Sequence, residues 1–297
     1  MSFTAKVKDE ICSIDEMSAC CYNAMTYGLL LCGRSFNSVS MMLVTEHEGA
    51  AKLYAEAVEK ITGNVPLIKC SQAGKYSVSV SKKADRLKVL EHYGVSEKTV
   101  SVRINRSNLA DECCYAAFLR GAFLACATMT QPKKSYQLDF LLPYLHLSDD
   151  MLKLMQELEV FAKMVRRKNS YVVYLKSSEA IEDLLMILGA QNSALEIMQI
   201  KIEKDVRNKI NRKVNFETAN IDRSVDAAMG QIEAIRKLKL SGKFDGMSAD
   251  LQELAQLREQ NPESSLKELG AMLSVSLSRS GVYHRLNKII SLAQSEE

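Results

Sequence analysis

Cys113-Cys114-Tyr115-Ala116-Ala117-Phe118-Leu119-Arg120-Gly121-Ala122-Phe123-Leu124-Ala125-Cys126 is the stretch around which this chain is organised. Moved back by 93 positions it falls on Cys20-Cys21-Tyr22-Asn23-Ala24-Met25-Thr26-Tyr27-Gly28-Leu29-Leu30-Leu31-Cys32-Gly33. Six of the thirteen pairs from Cys20/Cys113 to Cys32/Ala125 are identical, which marks an internal duplication. At the helical four-residue interval one copy reads Cys20, Ala24, Gly28, Cys32 and the other Cys113, Ala117, Gly121, Ala125. Each predicted helix therefore carries a stripe of small residues, which lets two backbones approach closely and pack by dispersion. Tyr76/Tyr171 and Gly94/Gly189 recur at an offset of 95, so the duplication extends downstream. Two similar halves are expected side by side about a pseudo-twofold axis through these helices.

Working outward, the residues of the first half read as helix 17–33, strand 38–45, helix 49–62, a hairpin around Ser71-Gln-Ala-Gly74, and helix 85–93 closed by Gly94. The second half repeats the order: helix 109–126, strand 135–142, helix 148–164, a hairpin turning at Lys168-Asn169-Ser170, and helix 177–188 closed by Gly189. Residues 99–105 read as a further strand joining the halves. Beyond them, Lys201, Lys204, Arg207, Lys209, Arg212 and Lys213, set against Glu203 and Asp205, put a net charge of +4 on thirteen residues at helical spacing. A second helical run begins near Ser224, and Lys239-Leu-Ser-Gly-Lys-Phe-Asp-Gly246, with its two glycines, is the expected linker.

The last fifty residues have a three-helix pattern: 248–259 capped by Ser248, 264–273 with Ser265 and Glu268 at capping-box spacing, a Ser274-Val-Ser-Leu turn, and 278–293. The third helix contains no acidic residue. Val282, Leu286, Ile289 and Ala293 form its inner face; Ser280, His284, Asn287 and Lys288, flanked by Arg279, Tyr283 and Arg285, form its outer face. This is a helix-turn-helix pattern. Arg and Lys suit guanine and phosphate, and Asn suits adenine, when all reach from one side into a major groove.

The net charge of the 297-residue chain is only +3, so composition alone gives no argument for nucleic acid. No apolar run approaches the roughly 20 residues needed to span a bilayer, no secretory leader is recognisable, and a reducing cytoplasmic setting is expected. Eight cysteines include the pairs Cys20-Cys21 and Cys113-Cys114. Adjacent helical residues point about 100° apart and no C-x-x-C spacing occurs, so small buried apolar cysteines are expected and a metal site is not. Nor is His284 expected to ligate, since no partner lies at ligand spacing.

Phe118-Leu-Arg-Gly-Ala-Phe-Leu-Ala-Cys-Ala-Thr-Met129 resembles the LAGLIDADG helix of homing endonucleases. In that family two such helices pack across a pseudo-dyad and each ends in a metal-binding acid. Here Gly121 and Gly28 take the motif glycine, while Cys126 and Gly33 stand where the acids belong, and neither is a hard oxygen ligand. The resemblance implies a DNA-binding saddle without cleavage chemistry, with Arg103, Arg106, Lys133, Lys134, Arg166, Arg167 and Lys168 as candidates for phosphate contact. An active nuclease using Asp111, Glu112 or Asp139 is the competing reading.

The C-terminal leucine spacing, Gly270 and the Val-Ser turn resemble region 4 of bacterial sigma factors. Taken together with Pro132-Lys-Lys-Ser-Tyr136, Asp205-Val-Arg-Asn-Lys-Ile-Asn-Arg-Lys-Val-Asn215, Glu217-Thr-Ala-Asn220 and Ser280-Gly-Val-Tyr-His-Arg-Leu286, the whole chain is similar to the WhiA sporulation and cell-division regulators. That similarity implies an α+β fold: a pseudo-twofold duplicated LAGLIDADG-like αββαββα domain, then an all-α helix-turn-helix domain. The expected divisions are repeats at 1–98 and 99–195, a basic helical linker at 196–245, and the helix-turn-helix at 246–297.

The implied function is a non-enzymatic, sequence-specific regulator of sporulation, cell-division or chromosome-segregation genes, cytoplasmic and nucleoid-associated. It would need no cofactor and no membrane. Its partner would be double-stranded DNA, contacted by Arg279, Ser280, Tyr283, His284, Arg285, Asn287 and Lys288, with Lys201, Lys204, Arg207, Arg212 and Lys213 as further contacts. The alternative is a protein-interaction scaffold docking on RNA polymerase or another transcription factor.

Overall fold

The computed structural model describes residues 2–97 and 101–294. They form two compact units, Met1–Lys204 and Asp205–Glu297. The first opens with α1 (Phe3–Cys12) and runs α2 (Ala19–Leu31), β1 (Ser35–Phe36), β2 (Met41–Thr45), α3 (Glu48–Thr62), β3 (Leu67–Cys70), β4 (Tyr76–Ser79) and α4 (Lys83–His92). It then repeats as α5 (Glu112–Cys126), β5 (Ala127–Met129), β6 (Leu138–Leu142), α6 (Leu145–Glu157), β7 (Lys163–Arg167), β8 (Ser170–Leu175) and α7 (Ser178–Leu188). The antiparallel sheets have matching orders, β1-β2-β4-β3 and β5-β6-β8-β7. Each half is thus αββαββα, and the duplication read from thirteen residues extends to the whole topology.

The helices α2 and α5 lie at the centre. α2 is buried on nearly every face, as an interior helix must be to lose its solvent-exposed stripe. Glycine fixes how close the pair comes: a Cβ on Gly121 would collide with the Met25 carbonyl, and one on Gly28 with the Phe118 carbonyl. Ala24 and Ala117 are likewise fully buried. Leu43, Val78, Phe140 and Val173 point inward from the sheets into the same core. Residues facing the other way, Met42, Val44, Leu67, Lys69, Leu141 and Val165 among them, are half-buried or exposed.

Several local expectations need correction. The two- and three-residue strands β1 and β5 are too short to show an alternation, and the residue-by-residue reading passes over them. Residues 99 and 100 lie outside the described residues, and 101–105 do not pair as a strand. Their backbone is satisfied by side chains instead: Asn105 N–H donates to the Tyr27 hydroxyl (2.8 Å) and Ile104 N–H to the Asp150 carboxylate (3.1 Å). α6 ends at Glu157, not near 164, because Glu159 adopts φ 60° and turns the chain into β7.

From Gln191 to Leu240 the chain is one continuous helix, α8, where the sequence reading breaks it near Asp222. Asp222 and Ser224 supply a start signal that the exposed helix simply passes through; no proline interrupts it. The expected linker is also tighter than its glycines suggest, since Leu238 and Phe244 are core residues of the second unit. There α9 (Ala249–Gln260), α10 (Leu266–Met272) and α11 (Arg279–Gln294) pack with the end of α8 around Ile235, Leu254, Leu269, Val282, Leu286 and Ile289. Buried Arg258 fastens this unit: its Nε donates to Gln231 (2.9 Å) and its guanidinium to the Ser264 carbonyl (2.7 Å). Ser248 occupies the first cap position, but its side chain makes no capping bond.

Candidate nucleic-acid interface

The α10–α11 corner is built for close approach. Leu277 N–H donates to the Gly270 carbonyl (3.0 Å), and a Cβ on Gly270 would strike the Leu277 carbonyl, so the turn admits glycine alone without rearrangement. Ser265 and Glu268 form the expected capping box at the start of α10. Ser274 donates through both its amide (2.7 Å) and its hydroxyl (2.6 Å) to Glu253 of α9, which holds the Glu253 carboxyl below its usual range. The turn is therefore anchored at both ends, and it fixes the direction of α11.

α11 buries Val282, Leu286, Ile289 and Ala293, as its spacing predicts. Arg279, Ser280, Tyr283, His284, Asn287 and Lys288 are exposed together on the opposite side. Arg285 sits differently: half-buried, it pairs with Asp250 of α9 at 3.2 Å. The exposed cationic and amide groups thus form one face, and Arg285 is drawn to its edge.

The basic run on α8 separates into two sets. Lys201 pairs with Glu179, which holds that carboxyl down at about 2, and Lys204 donates to the Pro132 carbonyl (2.6 Å) while lying over the Tyr136 ring at 4.3 Å. Both lysines therefore serve the first unit. Arg207, Arg212 and Lys213 are exposed, the last within 4.0 Å of Glu217 one turn on. Ile202, Val206, Ile210 and Val214 are also exposed on this helix at four-residue spacing, an apolar row that attention to charge alone overlooks.

Of the phosphate-contact candidates in the first unit, two are paired with acids at the surface. Arg106 forms a fork with Glu157 (2.8 and 2.9 Å), and Arg103 reaches Asp150 (3.3 Å) and His146 (3.1 Å). Lys133, Lys134, Arg166, Arg167 and Lys168 remain exposed. At the C-terminal ends of α2 and α5 lies a cleft of about 730 Å³ lined by Lys8, Arg34, Lys75 and Glu46, together with Cys32, Gly33 and Cys126. Buried Lys8 donates to the Leu124 carbonyl (2.8 Å); burial lowers its pKa, and the carbonyl gives its proton a partner. The hydrogen bond that the Cys32 thiol donates to Cys126, together with burial, pushes that thiol well above its ordinary value. Lys8, Arg34, His47 and Lys75 line the space and Glu46 is the one carboxylate in its lining, a set poor in the oxygen ligands that a hard divalent cation takes. The carboxylates weighed as nuclease alternatives do not gather here: Asp111 and Glu112 lie at the other end of α5, and Asp139 on β6 accepts from Gln137 (2.9 and 3.0 Å).

At that other end, the two cysteine pairs meet. The sulfurs of Cys20, Cys21, Cys113 and Cys114 all lie within 4.8 Å of one another, with Cys20 and Cys113 exposed. The angular argument from a single helix misses this because the four sulfurs are contributed by two helices.

Two family models match the chain: the WhiA LAGLIDADG-like domain over residues 115–207 and the WhiA C-terminal HTH domain over 210–293. The chain is 35% identical over 306 residues to the probable cell division protein WhiA of Ruminiclostridium cellulolyticum, covering 99% of this chain and 97% of that protein. It is 34% identical over 313 residues to the protein of the same name from Clostridium botulinum, covering 99% and 98%. Its fold is similar to the crystal structure of full-length WhiA from Thermotoga maritima, with a TM-score of 0.60 and 23% identity across 99% of both chains. Its duplicated first unit, its helix-turn-helix and its similarity along the full length agree: the chain belongs to the WhiA family.

Proposed function

We propose that this protein is a sequence-specific DNA-binding regulator of transcription, acting in the cytoplasm on genes of cell division, sporulation or chromosome segregation. The observation that carries the reading is the outer face of α11, where Arg279, Ser280, Tyr283, His284, Asn287 and Lys288 are exposed and no acidic residue intervenes. Such a face suits major-groove edges, with Arg279 and Lys288 for guanine or phosphate and Asn287 for adenine. Arg285 contributes at the edge, after exchanging Asp250 for phosphate. On α8, Arg207, Arg212 and Lys213 are phosphate contacts, whereas the bonds of Lys201 and Lys204 favour a structural part for them.

The cationic cleft supports a scaffold without cleavage activity: magnesium-dependent cutting needs carboxylate ligands there, and Lys8 supplies the opposite charge. Among the described residues no helix is long and apolar enough to cross a membrane. The exposed row Ile202, Val206, Ile210 and Val214 favours a second reading, in which RNA polymerase or another transcription factor docks on α8.

Selection of fragments from sheared genomic DNA, with magnesium present and salt varied, tests the proposal. Selective binding with a steep salt dependence, no cutting, and loss of selection in Arg279→Ala/Asn287→Ala supports it, since each phosphate neutralised adds about 0.9 to the logarithmic salt slope. Unchanged selection in that variant moves specificity to the first unit, and cutting overturns the argument from Lys8, Gly33 and Cys126.

A further inference from the structure

The four cysteines at the N-terminal ends of the motif helices have a geometry that packing does not explain. Small buried thiols are ordinary core residues, which accounts for Cys32 and for Cys21 and Cys114. Cys20 and Cys113 are exposed. Each pair nevertheless occupies the same two positions of its helix, the second and third after the caps Ser18 and Asp111. The pseudo-twofold that relates α2 to α5 therefore exchanges Cys20 with Cys113 and Cys21 with Cys114.

The contacts obey that symmetry. Cys20 is hydrogen-bonded to Ser18 and to Cys114, and Cys113 to Cys21. The axis carries one cross-helix contact into the other, so the sulfurs form two crossed pairs around it. All lie within 4.8 Å of one another. In a tetrahedral thiolate site with metal–sulfur bonds of about 2.3 Å, ligand sulfurs are about 3.8 Å apart, so the set need contract by no more than about an ångström. That spacing suits a single ion; a cluster containing its own sulfide ions holds its cysteine sulfurs farther apart.

All four cysteines lie in the first turns of α2 and α5, at the positive ends of the helix dipoles. Arg120 lies close enough for its charge to interact with Cys21. Two exposed sulfurs leave a solvent path for an ion to enter the folded protein.

We propose that Cys20, Cys21, Cys113 and Cys114 bind one divalent ion of the zinc type as a closed four-thiolate site. Its formation releases the protons carried by the four thiols and leaves no coordination position open, so the ion is structural. It ties the first turns of α2 and α5 together across the pseudo-twofold. The site lies at the far end of the helix pair from Gly33 and Cys126, and it is distinct from the place where a nuclease of this fold class would hold its metal.

The test is elemental analysis and cobalt titration of the reduced full-length chain. One zinc per chain as purified, or one cobalt giving tetrahedral visible bands with intense thiolate charge transfer that zinc bleaches, is expected. Cys20→Ser/Cys113→Ser alters exposed positions only and should weaken cobalt binding at least 100-fold with an unchanged circular dichroism spectrum. Cys70→Ser, an exposed cysteine elsewhere, should bind as the parent does. Four reactive thiols with no bound ion at micromolar cobalt overturn the proposal. So do cross-helix disulfides that resist mild reduction, undiminished binding in the double variant, or equal loss in Cys70→Ser.

Discussion

The first unit and the C-terminal helix-turn-helix both carry basic side chains, but several of those in the first unit are paired whereas those on the outer face of α11 are exposed. In the first unit Arg103 and Arg106 pair with Asp150 and Glu157, while Lys8 and Lys204 donate to main-chain carbonyls. On α11, Arg279 and Lys288 are exposed beside Asn287 and His284, and the helix contributes no acid to neutralise them. A positive charge in sequence is thus a weak sign of nucleic-acid contact until its partners are known. Once paired, it must give up a formed interaction before it can meet a phosphate.

The largest effect should come from attacking what holds the first unit. Gly121→Val drives a branched side chain into the Met25 carbonyl, and destabilisation of more than about 4 kcal/mol, or failure to fold, is expected in denaturant titration. If the comparison is right, the transition assigned to the second unit persists. Arg258→Ala does the converse: it leaves the Ser264 carbonyl and Gln231 without their buried donor, and the second unit should lose about 2–4 kcal/mol while the first is unchanged.

Smaller effects separate paired from exposed charge. Arg279→Ala should remove about 1–3 kcal/mol of sequence discrimination in competition binding if the residue reads a base. Arg106→Ala should leave DNA binding alone and lower only the stability of the first unit, by about 1 kcal/mol or less. A reversed ranking would break the comparison. The smallest effect concerns pH. The Glu179 carboxyl is held at about 2 by the Lys201 hydrogen bond, below its ordinary 4.5. Its contribution to stability is complete above the ordinary value and disappears as pH falls from there toward 2. Lys201→Ala should therefore flatten the acid limb of stability over that interval, slightly, because the pair is largely exposed.

Much of this was legible in the residues. The paired Cys-Cys-Tyr and glycine positions exposed the duplication, Gly94 and Gly189 marked equivalent helix ends, and the α11 pattern separated Val282, Leu286 and Ile289 from an exposed polar face. What escaped were features without a local signature. β1 and β5 are too short to alternate, α8 runs through a start signal at Asp222, and Phe244 joins a core despite the glycines around it. Pairing was equally hidden: nothing in the run Lys201–Lys213 indicates that Lys204 reaches Pro132 whereas Arg207 and Arg212 face solvent.

The sequence by itself determined the repeat and the helix-turn-helix, because periodicity and residue type are local properties, and the resemblance to LAGLIDADG helices put Gly33 and Cys126 where that family has acids. Only the tertiary structure decided which charges are paired, that Lys8 enters the cleft, and that two Cys-Cys dipeptides 93 residues apart meet at one point. These depend on the close approach of α2 and α5. The glycines permit that approach, but the distances it creates between side chains far apart in sequence exist only once the helices are packed.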